Sequence, residues 1–420
     1  MKMDTAKFDL AARHVLAVLP SCFHEMERLR ALAQQGAQPT VTVVGKYNHG
    51  KSRLLNELIA KDVFAVADKR ETVALAEHVW LGVRWLDAPG LDADVGLADD
   101  GHAHQAAWLQ ADIRLFVHAA KEGELDAAER ALLQKLYADQ QRTRRRTVFV
   151  LGQVDQMADE AHLHKVINAI QMQVPEVVLY PVSSTRYRQG VDGGKKLLLE
   201  KSGIPALQAM LRDALAEVPQ ARSHETALLL GEIRQALELL KTEGEERLHA
   251  LLHDQRWQRQ DFDQGLVAVL DKVQSDLQPV LELNSTDQAL VPDSFETMFK
   301  PTAGKQERAR LQIAYSYACI VINFHLIKHG VVGLPLNQQT SVRSLDTVMV
   351  AVMGVSVKYR NDLRQIFCEA AGRDRLKQAF AHYYELSEDR MLLARQIAES
   401  TSSLSDVEEA LAAMRTLENI

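Results

Sequence analysis

Cysteine is nearly absent. Three in 420 residues, Cys22, Cys319 and Cys368, are too few and too scattered for a disulfide framework or a metal-spaced set. They read as small buried side chains, and a reducing cytosol is the compartment they fit. Long apolar runs are missing too. The stretch 313–336 is interrupted by Asn323, His325, Lys328, His329 and Pro335, and 345–357 is too short, so neither reads as a membrane span. A buried helical pair is expected there instead. The first residues carry Asp4 and Asp9 and no apolar h-region, so no secretory signal is visible. No tandem repeat or low-complexity tract occurs. A formal charge of −7 argues against a dedicated nucleic-acid binder, and the run Arg142-Thr143-Arg144-Arg145-Arg146, which could touch phosphate or acidic lipid, is expected as a solvated helix end before a strand. What remains is ordinary globular composition, 47% hydrophobic and 25% charged, with length enough for two or three packed domains.

The stretch Val41-Thr42-Val43-Val44-Gly45-Lys46-Tyr47-Asn48-His49-Gly50-Lys51-Ser52, followed by Arg53-Leu54-Leu55-Asn56-Glu57-Leu58-Ile59, holds strand, phosphate loop and helix in immediate succession. In Gly45-x-x-x-x-Gly50-Lys51-Ser52 the backbone turns so that consecutive N–H groups converge on a phosphate at a helix N-terminus. Lys51 supplies a mobile cation for the β- and γ-oxygens, and Ser52 a hydroxyl for Mg²⁺. His49 is expected to project outward between the N–H donors.

Ahead of this unit, residues 5–34 carry apolar positions at helical spacing, interrupted at Pro20-Ser21. Behind it, two strands, Val73 to Trp80 and Val83 to Leu86, meet at Leu81-Gly82 as a tight antiparallel hairpin. The alternation then runs on: a short helix at His102 to Leu109, strand Ile113 to Ala119, helix Leu125 to Ala138 and strand Thr147 to Leu151. Helix Glu160 to Met172, strand Val177 to Val182 and helix Ile204 to Ala216 complete it. Repeated strand and helix imply a mostly parallel sheet covered on both faces. Beyond Pro219 only the helical period appears: 223–284 reads as a hairpin or a stalk broken near His253-Asp254. Leu311 to Ile327 and two or three amphipathic helices after Asn361 follow. The expected architecture is α/β, a nucleotide-binding domain with one antiparallel hairpin over 40–218, preceded by a helical segment 1–39 and followed by an all-α domain 219–420.

The order of motifs after the loop carries the chemistry. Thr72 lies where a hydroxyl closes over Mg²⁺ and a γ-phosphate, Asp87 ends an apolar strand where it holds a metal-bound water, and Gly90 leaves room for its N–H at the γ-phosphate. Asp155, just past a strand, suits a guanine N1 and N2. Ser183 and Ser184 end the last strand with backbone N–H groups for the base carbonyl. The acidic cluster Asp92, Asp94, Asp99 and Asp100 lacks the ligand spacing of a calcium loop and reads as a solvated loop.

Over residues 40 to about 216 the chain resembles the translation-factor-related class of P-loop GTPases, within it the Era-like and bacterial dynamin-like branches. Gly45-Lys46-Tyr47-Asn48-His49-Gly50-Lys51-Ser52 is similar to the dynamin-like loop, Asp62 through Thr72-Val73 to its switch I, Asp87-Ala88-Pro89-Gly90 to Asp-x-Pro-Gly, and Ser202-Gly203-Ile204-Pro205 to the opening of its last helix. The resemblance implies GTP and GDP with Mg²⁺, a P-loop that holds nucleotide through Gly45 to Arg53, and K⁺ near Asn48. It places Lys51, Thr72 and Gly90 at the reacting phosphate, and Ser52, Thr72 and Asp87 at the metal. Gln153, Asp155, Ser183 and Ser184 fall at the base.

Two departures matter. The family's Asn/Thr-Lys-x-Asp stands here as Gly152-Gln153-Val154-Asp155, which weakens base selection. Leu91 follows Gly90 where Ras-like members carry a water-orienting glutamine, which implies slow turnover unless a partner, a second copy, a cation, or Lys69 or Arg70 completes the site. The leading expectation is a cytoplasmic GTPase whose nucleotide state controls a helical effector domain. The alternatives are a nucleotide-dependent scaffold or membrane-associated dynamin-like protein with little hydrolysis, and an ATPase with the same core.

Overall fold

A computed structural model describes residues 5–34, 36, 38–65, 75–88, 105–282, 287–292, 294, 299–341 and 347–418. Six strands form one sheet: β1 Thr40–Val44, β2 Ala76–Trp80, β3 Val83–Asp87, β4 Ile113–Ala119, β5 Arg146–Gly152 and β6 Leu179–Pro181, in the order β2-β3-β1-β4-β5-β6. Among the described residues only β2 and β3 pair antiparallel. Their connection, Leu81 at φ 49° and Gly82 at φ 76°, takes two left-handed residues, the turn that matches strand twist. β1, β3 and β4 are buried along nearly their whole length, as parallel strands covered on both faces must be. Register does the positioning. Val43 pairs with Asp87, so β1 and β3 end level, and Ala119 pairs with Gly152, so β4 and β5 end level, three residues beyond Phe116, the partner of Val44.

The helices are α1 Thr5–Val18, α2 Phe23–Gln34, α3 Lys51–Ile59, α4 Ala127–Thr143, α5 Glu160–Gln173, α6 Ser184–Asp192, α7 Lys196–Lys201, α8 Ile204–Leu281, α9 Ala303–Lys328, α10 Val348–Met353, α11 Arg360–Phe367, α12 Ala370–Glu385 and α13 Glu388–Glu418. A π-helical turn covers Gln105–Gln110, where a short helix is expected. The chain divides into two compact units, residues 1–239 with 406–420, and residues 240–405.

In the first unit Val41, Val43, Leu55, Leu115 and Val150 pack with Leu207, Leu211 and Val218. A second core joins Phe8, Val15, Met26 and Leu29 to Leu229, Ile233 and Leu237 and to Ala410 and Met414. In the second unit Phe262, Leu266, Leu270 and Leu277 pack with Leu311, Tyr315, Ile322, Leu363 and Phe380.

Three expectations fail. Helix α8 neither stops at Ala216 nor breaks near His253-Asp254. Pro219 removes one N–H and crowds the carbonyl of Leu215, at about 3 kcal/mol; burial of Leu211, Val218, Leu229, Ile233 and Leu237 on either side outweighs it. The buried helical pair fails in part: α9, through Leu311, Tyr315 and Ile322, and α10, through Val348 and Met349, share one core, but α10 is six residues long and one face of α9 is exposed. The solvated arginine end, finally, fails at one residue: Arg142, Arg144 and Arg146 are exposed, and Arg145 is buried. Arg144 closes α4 at φ 64°, and Arg145 turns inward to donate to Asp139 at 3.0 Å and to the Trp108 carbonyl at 2.6 Å.

Candidate functional site

The loop between β1 and α3 has the shape its glycines permit. Gly45 sits at φ 149°, and a Cβ there would lie 2.2 Å from the Val117 carbonyl oxygen, so β4 leaves room for hydrogen alone. Gly50, at φ 84° and ψ 24°, is the N-cap of α3, and Asn48 is left-handed as well at φ 60°. The next two residues do what the spacing predicts. Lys51 lies back across the loop and donates from Nζ to the Lys46 carbonyl at 2.6 Å. The Ser52 hydroxyl donates to Asp87 Oδ2 at 2.5 Å.

Asp87 is buried at the end of β3, and burial pushes its carboxyl above the ordinary range against the pull of Ser52 and Lys51. Its other oxygen, Oδ1, is buried with no hydrogen-bond partner among the described residues. A hydroxyl and a carboxylate side by side, one oxygen unspent and a lysine adjacent, are a donor set that fits Mg²⁺ with phosphate. Thr72 and Gly90, with Pro89, Leu91, Lys69, Arg70, His102 and the acidic cluster, lie outside the described residues.

The end of β5 closes the opposite side. Gln153, left-handed at φ 55°, donates from Nε2 to the Asn48 carbonyl at 2.7 Å and ties this strand end to the phosphate loop. Asp155 accepts the Ser183 hydroxyl at 2.6 Å through Oδ1. The Ser183 backbone N–H is committed to the Ser202 carbonyl at 2.8 Å, so what Ser183 offers is its grip on Asp155 and not an N–H for a base. Ser184 is half-buried, and with exposed Arg53, Gly50, Gln153, Asp155 and Thr185 it lines one cleft beside the loop. Of the sequence-predicted residues, Lys51, Ser52 and Asp87 meet at the start of α3, and Gly50, Arg53, Gln153, Asp155 and Ser184 meet in the cleft beside it.

His49 is a correction. It does not project outward; it is buried, with Nδ1 3.2 Å from the Val117 carbonyl and 3.7 Å from Glu129 Oε1. Beneath it His118 places Nδ1 2.9 Å from Glu129 Oε1 and Nε2 3.0 Å from the Gly123 carbonyl. Burial first, and the neighbouring His118 second, lower the His49 pKa to about 4. Burial raises the Glu129 carboxyl, but His118 outweighs it and leaves Glu129 below its ordinary value. Glu129 also completes the capping box of α4 with Asp126, and Lys46 of the loop pairs with Asp126.

None of this second set was singled out from sequence except His49 and Lys46, although a histidine inside the apolar run Leu115-Phe116-Val117-His118-Ala119 is a visible signal. Asn56 was missed too. From α3 its side chain accepts the Val63 and Phe64 N–H groups and donates to the Phe64 carbonyl, which fixes where the connection after α3 begins.

Residues 40–153 match the family model described as 50S ribosome-binding GTPase. Over 417 residues the chain is 51% identical to the uncharacterized protein ACIAD1443 of Acinetobacter baylyi, covering 99% of this chain and 100% of that one. It is 33% identical over 128 residues to GTPase Der of Streptococcus mutans, 28% of each chain, so it spans under a third of that relative's length. Among solved structures, one half of an oligomerised bacterial dynamin pair aligns with 99% of this chain and 81% of that one, at 14% identity and a TM-score of 0.38.

Proposed function

This chain belongs to one family with the Acinetobacter baylyi protein and carries a GTP-binding P-loop G domain, and from that premise we propose that it is a slow, regulated GTPase. Residues 40–218 are the nucleotide-binding domain in this reading, and residues 219–420 the helical part that its nucleotide state controls. The observation that carries it is the Ser52–Asp87 pair beside Lys51, directly after Gly50, which lines a cleft with Gln153 and Asp155. Ser52 and Asp87 would hold Mg²⁺, which would supply charge neutralisation at the phosphates. Lys51 stabilises the transferring phosphoryl group, the loop N–H groups orient it, and Asp155, fixed by Ser183, selects guanine.

The test is a binding titration with GTP, GDP, ATP and ADP, followed by turnover in Na⁺ and in K⁺ buffers. Guanine nucleotides bind tighter, and Lys51→Ala loses most of that affinity while the fold survives. Equal affinity for adenine nucleotides points to the ATPase, and binding without turnover under every condition points to the scaffold.

Self-association is the second part of the reading, supported by α9. Its buried seam is Leu311, Tyr315, Ala318, Ile322 and Leu326. On another face Ile313, Tyr317, Ile320, Phe324 and Ile327 are half to three-quarters exposed. Their spacing of four, three, four and three residues is the heptad seam of a coiled coil. No Asp, Glu, Lys or Arg lies between Leu311 and Ile327, so a second copy meets no like charge. An interfacial lipid helix would instead carry a Lys/Arg-rich polar face. Ten large side chains from two copies bury on the order of 1,000 Å², the lower bound for a specific interface.

A further inference from the structure

Nucleotide binding as described leaves the polar cluster under the phosphate loop without a task. Three donor atoms converge there, one each from His49, His118 and Glu129, all within 4.8 Å of one another, and all three residues are buried. Two tetrahedral bonds of about 2.0–2.1 Å place their donor atoms about 3.3 Å apart. The observed separations from Glu129 Oε1, 2.9 Å to His118 Nδ1 and 3.7 Å to His49 Nδ1, bracket that value.

Two features set the cluster apart from a pair of ordinary core histidines. The far atom of two of the groups is already engaged, which aims the near atom at the centre. His118 Nε2 lies 3.0 Å from the Gly123 carbonyl, which frees Nδ1. Glu129 Oε2 accepts the Asp126 N–H at 3.2 Å with Lys46 Nζ at 3.8 Å, which frees Oε1. Outer partners of this kind orient ligands at metal centres. A fourth oxygen is also at hand, the Val117 carbonyl 3.2 Å from His49 Nδ1.

We propose that His49, His118 and Glu129, with the Val117 carbonyl, form a site for one divalent transition-metal ion of the Zn²⁺ and Co²⁺ kind. Two imidazoles, a carboxylate and a carbonyl suit such an ion, whereas Mg²⁺ demands octahedral oxygen and goes to Ser52 and Asp87. The ion displaces the proton shared by His118 Nδ1 and Glu129 Oε1, which leaves to solvent. It then joins the phosphate loop, the end of β4 and the first turn of α4. The proposal stands whether or not the nucleotide reading does, because its ligands act without nucleotide.

The experiment uses the untagged full-length chain, stripped with chelator and titrated with Co²⁺ in excess Mg²⁺ without nucleotide. The expected result is a visible d–d absorption of tetrahedral intensity that saturates at one ion per chain, lacks a thiolate charge-transfer band and is bleached by Zn²⁺. One proton per ion appears in an unbuffered indicator solution. His49→Ala weakens Co²⁺ binding at least tenfold, and His118→Gln removes the band. Failure of the native chain to give a band at stoichiometric Co²⁺ leaves a plain hydrogen-bonded ion pair and overturns the proposal, with no need for a folded variant. A band that His49→Ala and His118→Gln both keep overturns it equally.

Discussion

Asp87 and His49 mark what spacing along a chain can and cannot reveal. Asp87 was legible because it ends an apolar strand and precedes Ala88-Pro89-Gly90, and the register of β1 with β3 carries it to Ser52. His49 was not, because its neighbours in sequence do not say which side of the loop its ring takes; β4, nearly seventy residues on, decides that through Val117 and His118. At this scale the proposed Mg²⁺ site gives a sharp expectation. Asp87→Asn keeps the shape and loses the charge, so the Mg²⁺ concentration that half-saturates triphosphate binding rises about tenfold or more, a cost of at least about 1.4 kcal/mol, while Mg²⁺-free GDP affinity barely moves. Calorimetry across an Mg²⁺ series reads the difference. If diphosphate and triphosphate weaken alike without Mg²⁺, Asp87 acts on the loop's shape and not through the metal.

The elements show the same division between local and distant causes. Strands β1, β4 and β5 and the hairpin were legible within a residue or a few, since β-branched runs and a Leu-Gly turn announce themselves locally. Helices α6 and α7 were not, and α8 was cut at a proline that its packing overrides. Arg145 was misread for a related reason: one member of a charge run looks as solvated as its neighbours until its partners arrive from other elements. Arg114, fully buried on β4, donates to Asp139 Oδ2 at 2.7 Å, and Arg145 holds both Asp139 and Glu225. Arg28 of α2 grips Glu225 with two bonds, at 2.9 and 2.8 Å, and Arg222 of α8 grips Asp112 likewise, at 2.8 and 2.6 Å.

Asp139→Asn leaves two buried guanidinium groups short of their counter-charge and costs about 3–5 kcal/mol in denaturant unfolding. The pH dependence follows from the same carboxyl. Burial pushes it up, but Arg145 and Arg114 outweigh burial and hold it below its ordinary 3.8. Its contribution is therefore complete above 3.8 and disappears as pH falls through the lowered value. Native stability drops through this acid window with a slope that Asp139→Asn reduces. Identical slopes in the two proteins would remove Asp139 as the titrating group.

For the whole molecule the proposed slow hydrolysis turns on what orients the attacking water. In sequence no glutamine follows Asp87-Ala88-Pro89-Gly90, and Leu91 cannot orient water. A stimulating cation or arginine from elsewhere is worth about 10³–10⁵ in rate at such a centre. If a second copy supplies it, turnover per chain rises with protein concentration, and the heptad seam of α9 is the surface that sets the concentration at which it does. Ile320→Asp with Phe324→Asp changes two exposed side chains that belong to no core of the described residues, so stability should move by little. Light scattering should then find the variant monomeric where the native chain is dimeric. Its specific activity should be flat across a dilution series and equal to the native value at the dilute end. A native chain that stays monomeric at high concentration, with GTP and with GDP, removes the seam from the mechanism. A variant that loses the dimer yet keeps concentration-dependent turnover assigns the stimulating contact to another surface.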